Sequence, residues 1–106
     1  MIKARIDKLK NPKTDLSEIK KMILPLLKDS GVIKAGLFGS FARGEAGKRS
    51  DLDILVRFRS GKSLFDLAAL EIQLEKKIGR KADVLTYNSI NPLLKERILK
   101  EEVPIL

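Results

Sequence analysis

Apolar positions along the chain change period several times, and each change marks an element. Leu16, Ile19, Ile23, Leu26 and Leu27 recur at three- and four-residue spacing, which predicts a helix. Asp15 stands where it can cap that helix, with Glu18 three residues later in capping-box order. Pro25 lies late in the segment and is expected to kink or shorten it, and Asp29-Ser30-Gly31 ends it. From Val32 to Phe38 the period gives way to a run that reads as a buried strand, stopped by Gly39-Ser40. Ala42 to Ser50 is a polar loop with a helical turn after Ser40, and Leu52 to Phe58 is a second strand interrupted only by Arg57. After the turn Arg59-Ser60-Gly61-Lys62, Ser63 caps the clearest helix, Leu64 to Ile78. Its core stripe is Leu64, Leu67, Leu70, Leu74 and Ile78, widened by Phe65, Ala68 and Ile72, and Gly79 is its stop. Ala82 to Thr86 is a third strand. Asn91-Pro92 opens a last helix, anchored by Leu94 and Ile98 and stopped by Pro104.

The order α, β, loop, β, α, β, α implies an α/β (α+β) fold. The second strand, long helix and third strand fit a crossover between parallel strands, whereas the short link between the first two strands favours antiparallel pairing. The expected result is a small mixed sheet of about three strands with helices packed on it. A chain of 106 residues can bury a core without staples, so residues 1–106 read as one domain, with 1–13 a basic arm or short helix closed by Asn11-Pro12.

Composition narrows the chemistry. There is no Cys and no His, so thiol nucleophiles, disulfides, imidazole bases and zinc centres of the usual kind are excluded. Catalysis must use carboxylates, hydroxyls, Lys, Arg, Tyr, backbone amides or a hard cation held by oxygen. Lys plus Arg number 22 against 14 Asp plus Glu, a formal charge of +8, which points to polyanionic partners. The cations form an N-terminal group, Lys3 to Lys13, and a middle group of Arg43, Lys48, Arg49, Arg57, Arg59 and Lys62. Little aromatic material accompanies them beyond Phe38, Phe41, Phe58 and Phe65, which weakens the case for a single-strand stacking platform; nucleic acid has no visible recognition motif here. The apolar runs are far short of a membrane span, and the opening Met1 to Lys8 has no signal-peptide core, so a soluble, cytoplasmic protein is expected.

The informative stretch runs from Leu37 to Val56. A hydrophobic strand ends in Gly39-Ser40, where the glycine lets backbone amides approach a phosphate and the hydroxyl can donate to it. Arg43 follows, able to clamp phosphate oxygens in a fork. Asp51 and Asp53 sit two apart at the start of the next strand, and period two puts both carboxylates on one face. Paired carboxylates beside a phosphate-gripping loop are what two Mg²⁺ ions need. Asp83 interrupts an otherwise apolar strand, a costly place for an unpaired acid. If the third strand lies beside the second, Asp83 joins the pair and helps deprotonate an attacking hydroxyl. Gly44 to Arg49 only faintly suggests a P-loop, because its glycine spacing is wrong and Arg49 stands where Ser or Thr must hold Mg²⁺.

The string Gly39-Ser40-Phe41-Ala42-Arg43-Gly44, followed by Ser50-Asp51-Leu52-Asp53, resembles the signature of the DNA polymerase β-type nucleotidyltransferases, in particular the minimal nucleotidyltransferase (MNT) branch. The resemblance implies a polymerase β palm-like fold. It implies that Asp51, Asp53 and Asp83 bind Mg²⁺ and that Gly39 and Ser40, assisted by Arg43, hold the β- and γ-phosphates of a nucleoside triphosphate, ATP above all. An acceptor hydroxyl would attack the α-phosphate and release pyrophosphate. Larger relatives add a domain that holds the acceptor, so the resemblance implies that here a partner, a second subunit or an exposed surface must supply it. In this branch the partner is a HEPN-domain protein, and the transferase acts as antitoxin by adding AMP to a toxin tyrosine. The alternative implied is an antitoxin that neutralises its partner by occlusion, without catalysis.

Overall fold

The computed structural model describes residues 16–47 and 49–106; the basic arm, Asp15 and Lys48 lie outside them. Helix α1 spans Leu16–Asp29 and buries Ile19, Ile23 and Leu27. It runs unbroken through Pro25, which is exposed, so the expected shortening does not occur. A proline on the solvent side loses one backbone hydrogen bond, and the packing of the buried stripe outweighs that loss. Pro25→Ala is therefore expected to stabilise the protein by about 1–3 kcal/mol, read as a raised melting temperature.

Strand β1 is Val32–Phe38, followed at once by the short helix α2, Gly39–Ala42. Strand β2 is Leu52–Phe58, helix α3 is Leu64–Ile78 and strand β3 is Ala82–Thr86. A 3₁₀ turn, Tyr87–Ser89, leads to helix α4, Pro92–Glu101, and to strand β4, Val103–Pro104. Ser63 and Asp66 form the capping box that starts α3, with the Ser63 amide donating to Asp66 Oδ2 at 2.7 Å.

The sheet order is β3-β2-β1-β4. β1 and β2 are antiparallel and β2 and β3 are parallel, as their connections require. The fourth strand was not visible in the pattern because it is two residues long and ends in proline, which is tolerated only at a sheet edge. It pairs antiparallel with β1, and the Ile105 amide donates to the Ala35 carbonyl at 2.9 Å. On the opposite edge, the Ala82 and Thr86 amides donate to the side chains of Glu75 and Ser89.

Period two divides the sheet into two faces. On one, Ala35, Leu37, Leu52, Ile54, Val56, Ala82 and Val84 join α1 and Leu70 and Leu74 of α3 in the main core. The other face carries Phe38, Asp53 and Asp83 in one cross-strand row and Gly36, Leu55 and Leu85 in the next. Leu55 is fully buried there, although it lies outside the main core. Two expected core stripes are narrower than their periodicity suggests. Leu64 and Phe65 are 81% and 88% exposed, because the first turn of α3 lies beyond its packed stretch at Leu70 and Leu74. Helix α4 buries no residue, and its expected anchor Leu94 is 47% exposed. Among the described residues, no helix is long and apolar enough to cross a membrane.

Candidate active site

Asp53 stands on β2 directly opposite Asp83 on β3, with Phe38 opposite on β1. The parallel register thus does what the sequence required of it: two acids from separate strands meet on the open face. Asp51 precedes the strand and is exposed, so the strict period-two argument does not extend to it. The Asp53 carboxyl is pushed up from 3.8 to about 6. Burial is the largest cause, followed by the charges of Asp83 and Asp51 and a hydrogen bond with Asp83; Arg43 opposes these effects.

The Gly39-Ser40 turn sits on this acid. Gly39 has φ +70°, and a Cβ built on it would lie 2.3 Å from Asp53 Oδ2. No other residue could occupy the position without displacing the carboxylate or straining the backbone. Phe41, one turn on, is buried and pins α2 to the core. Arg43 leaves the end of α2 and is 41% exposed at its side chain, held by Glu45 at 2.9 Å and by Glu101 of α4 at 3.5 Å. It is therefore poised beside the acids but engaged by carboxylates.

One positioning residue had no signal in the sequence. Nothing in the sequence after Gly79 singles out Arg80. Its guanidinium Nη1 donates to the carbonyls of Gly47 at 2.8 Å and Ser50 at 3.0 Å, and the group lies 5.2 Å from the centre of the Phe41 ring. The Gly47 amide donates to Ser50 Oγ at 2.8 Å within the same loop. Arg80 thus fixes the segment that delivers Asp51. Arg80→Ala is expected to cost about 1.5–3 kcal/mol in stability. In a transfer assay it is expected to slow the reaction on the order of tenfold to a hundredfold by letting the loop drift.

Among the described residues, no group of three or more acidic side chains is drawn together tightly enough to hold a metal ion as placed. The donor set nevertheless fits a hard divalent cation. It is all oxygen, and Asp53 and Asp83 lie in contact with Asp51 close enough to add its charge, a repulsion that such a cation would relieve. The middle group of cations is divided. Arg43 belongs to the acid end, whereas Arg57 lies four residues along β2, roughly 13 Å away, with Arg59 and Lys62 beyond it.

A mixed sheet with acids on its open face, a glycine turn seated on one of them and an arginine alongside is the architecture of a nucleotidyltransferase. The model of the nucleotidyltransferase domain matches residues 16–106, and the chain belongs to that family. A Methanocaldococcus jannaschii protein provisionally named a protein adenylyltransferase is 54% identical over 92 residues, 87% of this chain and 99% of that protein. The protein adenylyltransferase MntA of Thermococcus cleftensis is 40% identical over 73 residues, 69% of this chain and 74% of that one. A solved structure provisionally described as a minimal nucleotidyltransferase superposes with TM-score 0.74 at 37% identity, covering 86% of this chain and 96% of that one. The MNT antitoxin complex with a tri-AMPylated HEPN toxin of Shewanella oneidensis shares the fold, with TM-score 0.68, 18% identity, and coverage of 87% and 72%. The chain is accordingly an enzyme of the nucleotidyltransferase class.

Proposed function

We propose that this domain is an Mg²⁺-dependent protein adenylyltransferase that moves AMP from ATP to a tyrosine hydroxyl of a HEPN-domain toxin and so acts as its antitoxin. The observation that carries the reading is the Asp53–Asp83 pair, set in register on the open face with Gly39 seated against Asp53. The names of the similar proteins support the reaction class, and the HEPN complex supports the partner.

Asp51, Asp53 and Asp83 would hold two Mg²⁺ ions, which when bound neutralise phosphate charge and aid departure of pyrophosphate. The rest of the work falls to the chain itself. The amides and hydroxyl at Gly39-Ser40 would bind the β- and γ-phosphates, which the absence of a side chain at Gly39 permits. Arg43 would leave Glu45 and Glu101 to form a fork on the same phosphates. The Asp83 carboxylate would take the proton from the acceptor hydroxyl as it attacks the α-phosphorus. Catalysis on this scheme is mostly positioning and charge neutralisation.

Incubation with labelled ATP, Mg²⁺ and the HEPN partner is the direct test, with label expected on a partner tyrosine. Absence of transfer by the wild type, or full transfer by Asp53→Ala, would refute the reading. Full neutralisation of the toxin by an Asp51→Ala/Asp53→Ala protein would instead favour occlusion.

A further inference from the structure

The acids occupy one end of the open face, and the other end is cationic. A cleft of about 240 Å³ opens there between the turn after β2 and the turn after β3. Arg57, Arg59, Lys62 and Asn88 are among its lining residues, and among the described residues no acidic one lines it. Lys34 pairs across the strands with Arg57 and adds a fourth cation beside them. None of these four cations makes a salt bridge with a carboxylate among the described residues. Of the acids around them, Asp66 feels Lys62 but is committed to capping α3, and Glu102 accepts a hydrogen bond from Tyr87.

The cations are also held in place. Lys34 Nζ lies 4.6 Å, and the Arg57 guanidinium 5.5 Å, from the centre of the Tyr87 ring, whose hydroxyl is fixed by Glu102. Lys62 and Arg59 converge over Gly31: a Cβ there would lie 2.6 Å from Lys62 Cε and 3.2 Å from Arg59 Nε. Like charges brought together without an acid between them are relieved by an anion. Three residues beyond Lys62, in the first turn of α3 just past the cleft lining, Phe65 is 88% exposed. Of the few aromatics that accompany the cations in the sequence, this one presents its ring to solvent beside them.

We infer that this end of the sheet is a binding site for single-stranded nucleic acid. The converging cations take successive backbone phosphates, and Phe65 stacks a base. An acidic protein would satisfy the charges but leave the aromatic face without a role. The site is separate from the catalytic acids and does not depend on the reaction proposed for them.

The test is binding of a fluorescent oligonucleotide of about 10 nucleotides to the full chain, in EDTA and without ATP, across a salt series. Arg59→Ala/Lys62→Ala is expected to weaken binding at least tenfold and to flatten the slope of log K against log salt by about 1.4. Phe65→Ala is expected to weaken binding roughly 5- to 150-fold with the slope unchanged. Both variants change exposed or cleft-lining side chains, and both are expected to retain wild-type melting temperature and adenylyl transfer. The proposal is overturned if both variants bind as the wild type does, or if deleting residues 1–13 alone abolishes binding. It is likewise overturned if a polyglutamate peptide of equal charge displaces the oligonucleotide as well as unlabelled oligonucleotide does.

Discussion

Asp53→Asn is expected to abolish transfer and, in the same metal-free protein, to raise the melting temperature at pH 8. The two effects have one origin. Asp53 is half-buried beside Asp83, within reach of the charge of Asp51, and its carboxyl titrates near 6 rather than 3.8. A group whose folded pKa is raised favours the fold when protonated. That contribution is complete below about 3.8 and is lost as pH rises through about 6. Above pH 6 the native state therefore carries a repulsion that the unfolded chain does not. The full shift would correspond to about 3 kcal/mol, and the partial exposure of Asp53 reduces this to about 1 kcal/mol. For a domain of this size that is about 4–8 °C in melting temperature. The gain should shrink towards pH 4, and added Mg²⁺ should stabilise the wild type more than the variant. Thermal scans at pH 4 and 8, with and without Mg²⁺, decide it; a variant less stable than the wild type at pH 8 would remove the claim. Transfer should fall by a factor of roughly a thousand or more, since the residue would hold the cation that neutralises the charge developing on the phosphates.

The second large effect is expected at Gly39, with Gly44 as its internal control. Both have positive φ, +70° and +72°. A Cβ at Gly44 meets nothing within 4 Å, whereas at Gly39 it falls 2.3 Å from Asp53 Oδ2. Gly44→Ala should therefore show only backbone strain, about 1–2 kcal/mol. Gly39→Ala adds an overlap with the key carboxylate and should cost about 2–4 kcal/mol. It should also reduce transfer at least a hundredfold by displacing Asp53, whereas Gly44→Ala should leave most of the activity. Equal losses in the two variants would show that the contact with Asp53 is not what requires glycine. Chemical denaturation measures the first difference and the ATP-labelling assay the second.

The elements that carry the site were legible because each rests on a local rule. Ser63 and Asp66 announce the start of α3, and the apolar runs around Leu37 and Ile54 announce buried strands. Asp83 was legible as an oddity, an acid among apolar neighbours, and the parallel register gave it a partner. What stayed hidden depends on contacts distant in sequence. Arg80 acts 30 and 33 residues away, on Ser50 and Gly47, and nothing near it in the chain signals that role. Periodicity also overstates burial: Leu64, Phe65 and Leu94 keep the helical spacing of a core stripe but are left exposed by the described residues around them. The middle cations looked like one cluster because sequence proximity hides the length of β2, which sets Arg43 and Arg57 at opposite ends.

The edges of the sheet carry a consequence for how other proteins can meet this one. β4 covers β1 and ends in Pro104, which has no amide to offer a further strand. Along β3 the Ala82 and Thr86 amides are already taken by Glu75 and Ser89. Among the described residues, a partner would therefore find few free amides along which to prolong the ladder, the route of β-augmentation. Growth of the sheet into a fibril is disfavoured by the same groups. A complex is therefore expected to rely on side chains, on the open face or along the exposed helix α4 among others, with its specificity in shape and charge more than in shared backbone hydrogen bonds.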